Sequence, residues 1–192
     1  MTDRVRVRTV ETVHKGWATL TRVTFDYQRS DGTWQTQVRE TFDRGHGAVI
    51  LLFNRQRRSV VLTRQFRYPV HAAGGSGFLI EACAGLLDAD DPETCIRKES
   101  EEETGYRVHD VQRVFAAYTT PGSVTERLYF FVAEYDPDNV TEGGGVASEG
   151  EDIEVLEIAF DDALAMIDDG RIEDAKTIML LQYAALHGLL DA

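Results

Sequence analysis

Three glutamates define the chemistry that this sequence offers. Glu99, Glu102 and Glu103 stand at i, i+3 and i+4 in a stretch that reads as a helix, so their carboxylates share one face. Like charges so placed repel, and the helix loses stability unless a cation sits among them. Carboxylate oxygens suit a hard ion, and Mg²⁺ takes a few carboxylates together with waters and substrate phosphates. Gly85 makes a tight turn ahead of that helix, which would bring a backbone carbonyl beside the same ion. The rival reading is a solvated acidic helix face. The flanking glycines and the turn favour the cation.

Arginine is the second chemical signal. Of the 20 basic residues 17 are arginine, the side chain suited to planar, bidentate contacts with phosphate and carboxylate. They are unevenly spread: residues 1–70 carry 13 Lys and Arg against 6 Asp and Glu, whereas residues 71–192 carry 7 against 27. Either the two parts simply attract each other, or an anion lies between arginines and a carboxylate-bound metal. The net charge of −13 argues against general binding to nucleic acid, whose phosphates need a basic face. Cys83 and Cys95 are too few for a disulfide framework and are expected as buried thiols. The five histidines have no metal-ligand spacing, and no G-x-S-x-G elbow or P-loop occurs.

The elements that must hold these groups are legible in outline. With 192 residues, 43% of them hydrophobic and 28% charged, the chain fits one main domain with a sizeable appendage. No apolar run reaches the ~20 residues of a membrane-spanning helix, and Met1 to Arg4 open no signal peptide, so a cytoplasmic protein is expected. Val5, Val7 and Thr9 alternate with arginines. Trp17 to Tyr27 and Trp34 to Phe42 read as strands of an antiparallel hairpin around Ser30-Asp31-Gly32. The break near residues 43–47 divides an N-terminal β domain, 1–43, from a main α/β domain, 44–192.

In that main domain Ala48 to Phe53 and Ser59 to Arg64 read as strands, the first apolar enough to be covered on both faces. Phe78 to Ala82 and Leu128 to Tyr135 read as two more. Asp91-Pro92-Glu93 starts the acidic helix and Gly105 ends it. Thr141 to Glu151, with a triple glycine and three glutamates, reads as a mobile loop. Asp161 to Asp169 and Glu173 to His187 read as amphipathic helices.

The segment Ala84 to Tyr106 resembles the Nudix box. Glu99, Glu102, Glu103, Gly105 and Tyr106 match its helical half. Lys98 stands where the family has arginine, Ser100 where it has an apolar residue, and Asp90 or Asp91 where it has a loop glutamate. The span from Gly85 to Lys98 is one residue shorter than the pattern. Arg39-Glu40, Arg64 to Arg67, Glu81 with Ala84 to Asp88, Pro121-Gly122 and Glu149 to Glu154 follow in the order seen in nucleotide-sugar Nudix pyrophosphatases. Within that branch, Ile80 to Asp88 and Gly143 to Glu154 look most like the GDP-mannose enzymes.

The resemblance implies an α/β/α sandwich with a mixed sheet, preceded by the antiparallel β domain. It implies Mg²⁺-dependent hydrolysis of a nucleotide-sugar diphosphate, most simply GDP-mannose to GMP and mannose 1-phosphate, with Mn²⁺ as a substitute ion. Glu99, Glu103, Glu151 and the Ala84 carbonyl would be metal ligands. Glu149 would be the general base, with Glu102 binding metal or acting through water. Substrate contacts would come from Trp17, Arg39, Glu40, Arg67, Ala84, Gly85 and Leu86. Val38 stands beside Arg39 where the family leads one to expect lysine. Enzymes of this kind are homodimers whose N-terminal β part packs across the partner and completes its pocket. The competing functions are an ADP-ribose pyrophosphatase, separated by its products, and a sensor that binds nucleotide sugars without turnover.

Overall fold

The structure is a computed structural model that describes residues 4–191, apart from the side chain of Glu149. The chain forms two compact units. The first holds the chain up to His46 together with Tyr118–Arg127, and the second holds the remainder.

The first unit is a three-stranded antiparallel sheet, β1 (Val5–Lys15), β2 (Thr19–Gln28) and β3 (Trp34–Asp43), with β2 in the middle. Asp31 shapes the β2–β3 turn by accepting hydrogen bonds from the Thr33 amide (2.9 Å) and hydroxyl (2.6 Å). Trp17, expected as the first residue of a strand, lies instead in the turn between β1 and β2. Every residue of β1 is exposed, so cross-strand side-chain pairs hold the sheet together more than burial does. Arg8 binds Asp26 at 2.7 Å, Arg22 binds Glu40 at 2.8 Å, and the hydroxyls of Thr21 and Thr41 meet at 2.6 Å. Tyr118–Arg127 joins this unit through Phe42, whose amide donates to the Ser123 carbonyl and whose carbonyl accepts from Thr125.

The second unit is built on a seven-stranded mixed sheet. Its strands are β4 (Gly47–Asn54), β5 (Ser59–Phe66), β6 (Phe78–Glu81), β7 (Ala84–Leu86), β8 (Gln112–Tyr118), β9 (Arg127–Glu134) and β10 (Glu154–Ala159). They run in the order β10-β5-β4-β9-β8, with β6 beside β5 and β7 beside β4, and β4 pairs with β9 in parallel. The helices are α1 (Tyr68–Ala72), α2 (Pro92–Thr104), α3 (Phe160–Asp168) and α4 (Ala175–Leu186), with a 3₁₀ turn at Ala147–Glu149.

All eight residues of β4 are buried, and its side-chain alternation sorts them into two cores. Val49, Leu51 and Phe53 pack with Ala163, Leu180 and Leu181 of α3 and α4. Ala48, Ile50 and Leu52 pack with Cys95 and Ile96 of α2. Each large aliphatic buried there contributes roughly 1.5–3 kcal/mol. The sheet is therefore covered on both faces, as the continuous apolar run requires. Among the described residues no helix is long and apolar enough to cross a membrane.

Candidate active site

The acidic helix is fixed at both ends by the residues expected to do so. Asp91 caps α2 by accepting from the amides of Glu93 (3.1 Å) and Thr94 (3.2 Å), and Pro92 occupies the first turn. Gly105 closes it with φ +78, a conformation costly to any residue with a Cβ, and its amide donates to the Glu101 carbonyl. The departures from the Nudix pattern have local explanations. Ser100 is fully buried where an apolar residue is usual, but its hydroxyl donates to the Tyr106 carbonyl at 2.9 Å, so no polar group is stranded. Lys98 reaches back to Asp90 at 2.5 Å, an ion pair that joins the helix to the shortened loop.

The three glutamates share a face but not an environment. Glu103 is buried (2% exposed) and accepts a hydrogen bond from the Ala84 amide at 3.3 Å. Burial pushes its carboxyl up to about 7, and the charge of Glu151 adds to the rise, against the pull of hydrogen bonds from Cys83 and Ala84. Glu99 is half-buried and lies over Gly85, where a Cβ would collide with its carboxylate. Gly85 therefore leaves the space that the Glu99 carboxylate occupies between α2 and β7. Glu102 is exposed. Leu86 follows in β7, its carbonyl accepting from the Cys95 thiol.

The glycine loop carries Glu151 to the same place. The Gly144 and Gly145 amides donate to the carbonyls of Glu103 (2.9 Å) and Glu102 (3.0 Å), and the Thr141 amide donates to Gly105. The loop thus satisfies the open carbonyl end of α2 instead of hanging free. A Cβ on Gly143 would meet the Thr104 carbonyl carbon at 2.5 Å, so only glycine permits this contact. Glu151 is held by the Val146 amide at 2.8 Å. Glu149 lies on the 3₁₀ turn just before it, and its side chain is outside the described residues.

No group of three His, Cys, Asp or Glu side chains among the described residues makes a ready-formed metal cage. The donor set nonetheless fits a hard divalent cation. Carboxylates from α2 and the glycine loop act on one another beside β7: burial raises the Glu103 carboxyl and the charge of Glu151 adds to the rise, outweighing the pull of Arg67.

Arg67 follows β5 directly. Its Nε donates to Glu81 at 2.7 Å, and the other oxygen of Glu81 binds Lys176 of α4 at 2.5 Å. Burial favours the neutral acid, yet Lys176 and Arg67 together hold Glu81 below the usual carboxylate range. Asp174, the N-cap of α4, binds Lys176 at 3.0 Å and accepts from the Thr177 amide and hydroxyl. Sequence reasoning missed Lys176. The only hint was an isolated lysine, one of three in the chain, just after a helix-capping aspartate.

Trp17, Arg39 and Glu40 belong to the first unit. Trp17 is 73% exposed, with the Arg44 guanidinium 5.7 Å from its ring centre. Arg44 in turn binds the buried carboxylate of Glu126. Arg39 lines a cavity of about 790 Å³ with Val23, Phe25, Tyr118 and Pro121, and its guanidinium donates to the Val38 carbonyl and the Gln37 side chain. Glu40 is taken up by its cross-strand pair with Arg22.

Comparison with known proteins gives the family. A NUDIX domain model matches residues 43–181, and a model described as GDP-mannose pyrophosphatase NudK N-terminal domain matches residues 4–42. The GDP-mannose pyrophosphatase of Yersinia pestis (strain Pestoides F) is 58% identical over 179 residues, covering 92% of this chain and 89% of that one. The protein of the same name from Yersinia enterocolitica serotype O:8 is 55% identical over 182 residues, 94% of each chain. That of Pectobacterium atrosepticum is 55% identical over 173 residues, 90% of this chain and 89% of its own. With a Nudix domain over most of its length and relatives this similar from end to end, the chain belongs to the NUDIX family.

Proposed function

We propose that this Nudix hydrolase cleaves the diphosphate of GDP-mannose, releasing GMP and mannose 1-phosphate in a Mg²⁺-dependent reaction. The observation that carries the reading is the buried Glu103 at the Ala84 amide, with Glu99 against Gly85 and the charge of Glu151 acting on Glu103. The names of the relatives support the choice of sugar. In this reading Glu99, Glu103, Glu151 and the Ala84 carbonyl hold Mg²⁺. When bound there, the ion would supply charge neutralisation for the diphosphate and a more acidic water.

The remaining steps belong to the protein. Glu149 accepts the proton from the attacking water, and Glu102, exposed on α2, assists through water. Arg67 offers its outward guanidinium edge to the phosphates. Gly85 and Leu86 present backbone to the substrate. Trp17 stacks on the base, Arg39 takes an anionic group and Glu40 receives a base or sugar hydrogen bond. In the proposed homodimer, the 1–43 domain reaches the partner's 44–192 catalytic domain. The exposed valines Val7 and Val10 and the exposed Trp17 support that role. We place the enzyme in the cytoplasm, consistent with the absence of a membrane-crossing helix among the described residues.

The test is a parallel assay of GDP-mannose, ADP-ribose and GDP-glucose with Mg²⁺, with nucleotide products separated chromatographically. Preferred release of GMP from GDP-mannose is expected. Preferred release of AMP from ADP-ribose would overturn the choice of substrate. Binding without turnover, with either Mg²⁺ or Mn²⁺, would make the protein a sensor. Chelation of the metal is expected to abolish turnover and restoration of Mg²⁺ to recover it.

A further inference from the structure

The cluster around Glu81 contains one carboxylate between two cations, and the details of its bonding are asymmetric. Glu81 is buried, with 4% of its side chain exposed, and Lys176 is nearly so at 13%. Arg67 is different. Its Nε is turned inward onto Glu81 at 2.7 Å, while its side chain remains 39% exposed. Neither terminal nitrogen, Nη1 or Nη2, makes a hydrogen bond to the described residues. An arginine anchored through Nε presents its two outer nitrogens as a fixed fork, the geometry that matches two oxygens of a phosphate.

Lys176 explains why the anchor is a carboxylate. A carboxyl this deep with only a half-exposed guanidinium beside it would tend to take up a proton, and the lysine at 2.5 Å keeps it ionised. Asp174 at 3.0 Å holds the lysine in turn, and as N-cap it ties the group to the start of α4. Three elements thus meet at one carboxylate: the end of β5, the end of β6 and the first turn of α4.

We infer that Glu81 is a positioning residue for substrate binding: with Lys176 at one oxygen and the Arg67 Nε at the other, it aims the outer edge of the Arg67 guanidinium at an anionic oxygen pair of the substrate. This rests on the role proposed above for Arg67. Glu81 does not touch the substrate and acts through Arg67 alone.

A double-mutant cycle on the full-length enzyme, with GDP-mannose and Mg²⁺, tests this. Arg67→Ala is expected to raise KM roughly 10- to 100-fold, the loss of charge-assisted hydrogen bonds. Glu81→Gln is expected to raise KM to a similar extent in the native background and to have no further effect on KM in the Arg67→Ala background. Its lowering of the melting temperature, which follows from leaving Lys176 without its buried partner, persists in both. Glu81→Asp keeps the charge and the lysine partner while retracting the anchoring oxygen by one methylene. It raises KM with little loss of stability, and it serves if Glu81→Gln does not fold.

An unchanged KM in Glu81→Asp or Glu81→Gln, or KM effects that simply multiply with Arg67→Ala, would overturn the inference while leaving the proposed function standing. An unchanged KM in Arg67→Ala would remove Arg67 from the substrate site, and this inference with it.

Discussion

A single buried side chain in this protein is governed by who faces it. Glu103 and Glu81 are both nearly inaccessible glutamates, yet burial lifts the first while Lys176 and Arg67 hold the second down. For Glu81 the folded pKa lies below the unfolded one, so its stabilisation is present above the unfolded value and is lost as pH falls through the folded one. We expect Glu81→Gln to cost about 3–5 kcal/mol at neutral pH, the scale for breaking a buried pair. Urea melts should show the gap between native and variant closing as pH falls below the ordinary carboxylate range; a gap that stayed constant would mean that the ion pair is not its source. Cys83 and Cys95 provide another check. Burial pushes the Cys83 thiol far above its ordinary value and that of Cys95 up to about 12. Both should resist a thiol reagent in the folded protein and react once it is unfolded. Their burial was legible from their small number and spacing. The Glu81 cluster was not, because its members lie 14 and 95 positions apart and nothing local marks them.

Secondary-structure elements decide how closely the site's pieces approach. Strand β7 and helix α2 pack so tightly that Glu99 occupies the place of a Cβ on Gly85. Gly85→Ala should therefore displace Glu99 and weaken Mg²⁺ binding without unfolding the sheet. Isothermal titration beside a circular-dichroism melt would separate the two effects, and unchanged metal affinity would refute the packing argument. At the start of the same helix, Asp91→Ala removes the acceptor of two amide N–H groups and should cost ~0.5–2 kcal/mol in a denaturant melt. Elements with strong local signals were readable in advance. β4 is a continuous apolar run, and α2 has aspartate and proline at its start and glycine at its end. The elements left unread were β7, β8, β10 and α1. β7 has three residues and no measurable period, and β10, at a sheet edge, has its two glutamates three positions apart and so lacks a two-residue alternation. Their existence depends on pairing partners that only the assembled sheet supplies.

Across the molecule, the contrast between an arginine-rich front and an acidic back resolves partly into plain pairing. Arg55, Arg57, Arg58 and Arg64 bind Glu134, Glu157, Asp161 and Glu154. Exposed pairs of this kind contribute only ~0–1 kcal/mol each, so they account for the charge pattern more than for stability. The metal reading makes a global prediction as well. Mg²⁺ at about 100 times its Kd should stabilise the protein by about 2.7 kcal/mol. That gain should vanish in Glu103→Gln, and if the variant kept it the ion would have to bind elsewhere. The dimer reading requires light scattering to report twice the chain mass of 21.5 kDa at working concentration; a monomer would end the shared-pocket proposal.

The first unit borrows Tyr118–Arg127 from the middle of the chain, and those residues hydrogen-bond to Phe42 and, through Glu126, to Arg44. A ribosome must therefore finish two thirds of the protein before that unit has all its parts. The N-terminal sheet is consequently not a cassette. A gene fusion or recombination that moved only its first 46 codons would transfer an incomplete object, and the recipient would have to supply a matching loop far downstream. The two units are bound to be inherited together, and a change in one has to be tolerated by a segment encoded inside the other.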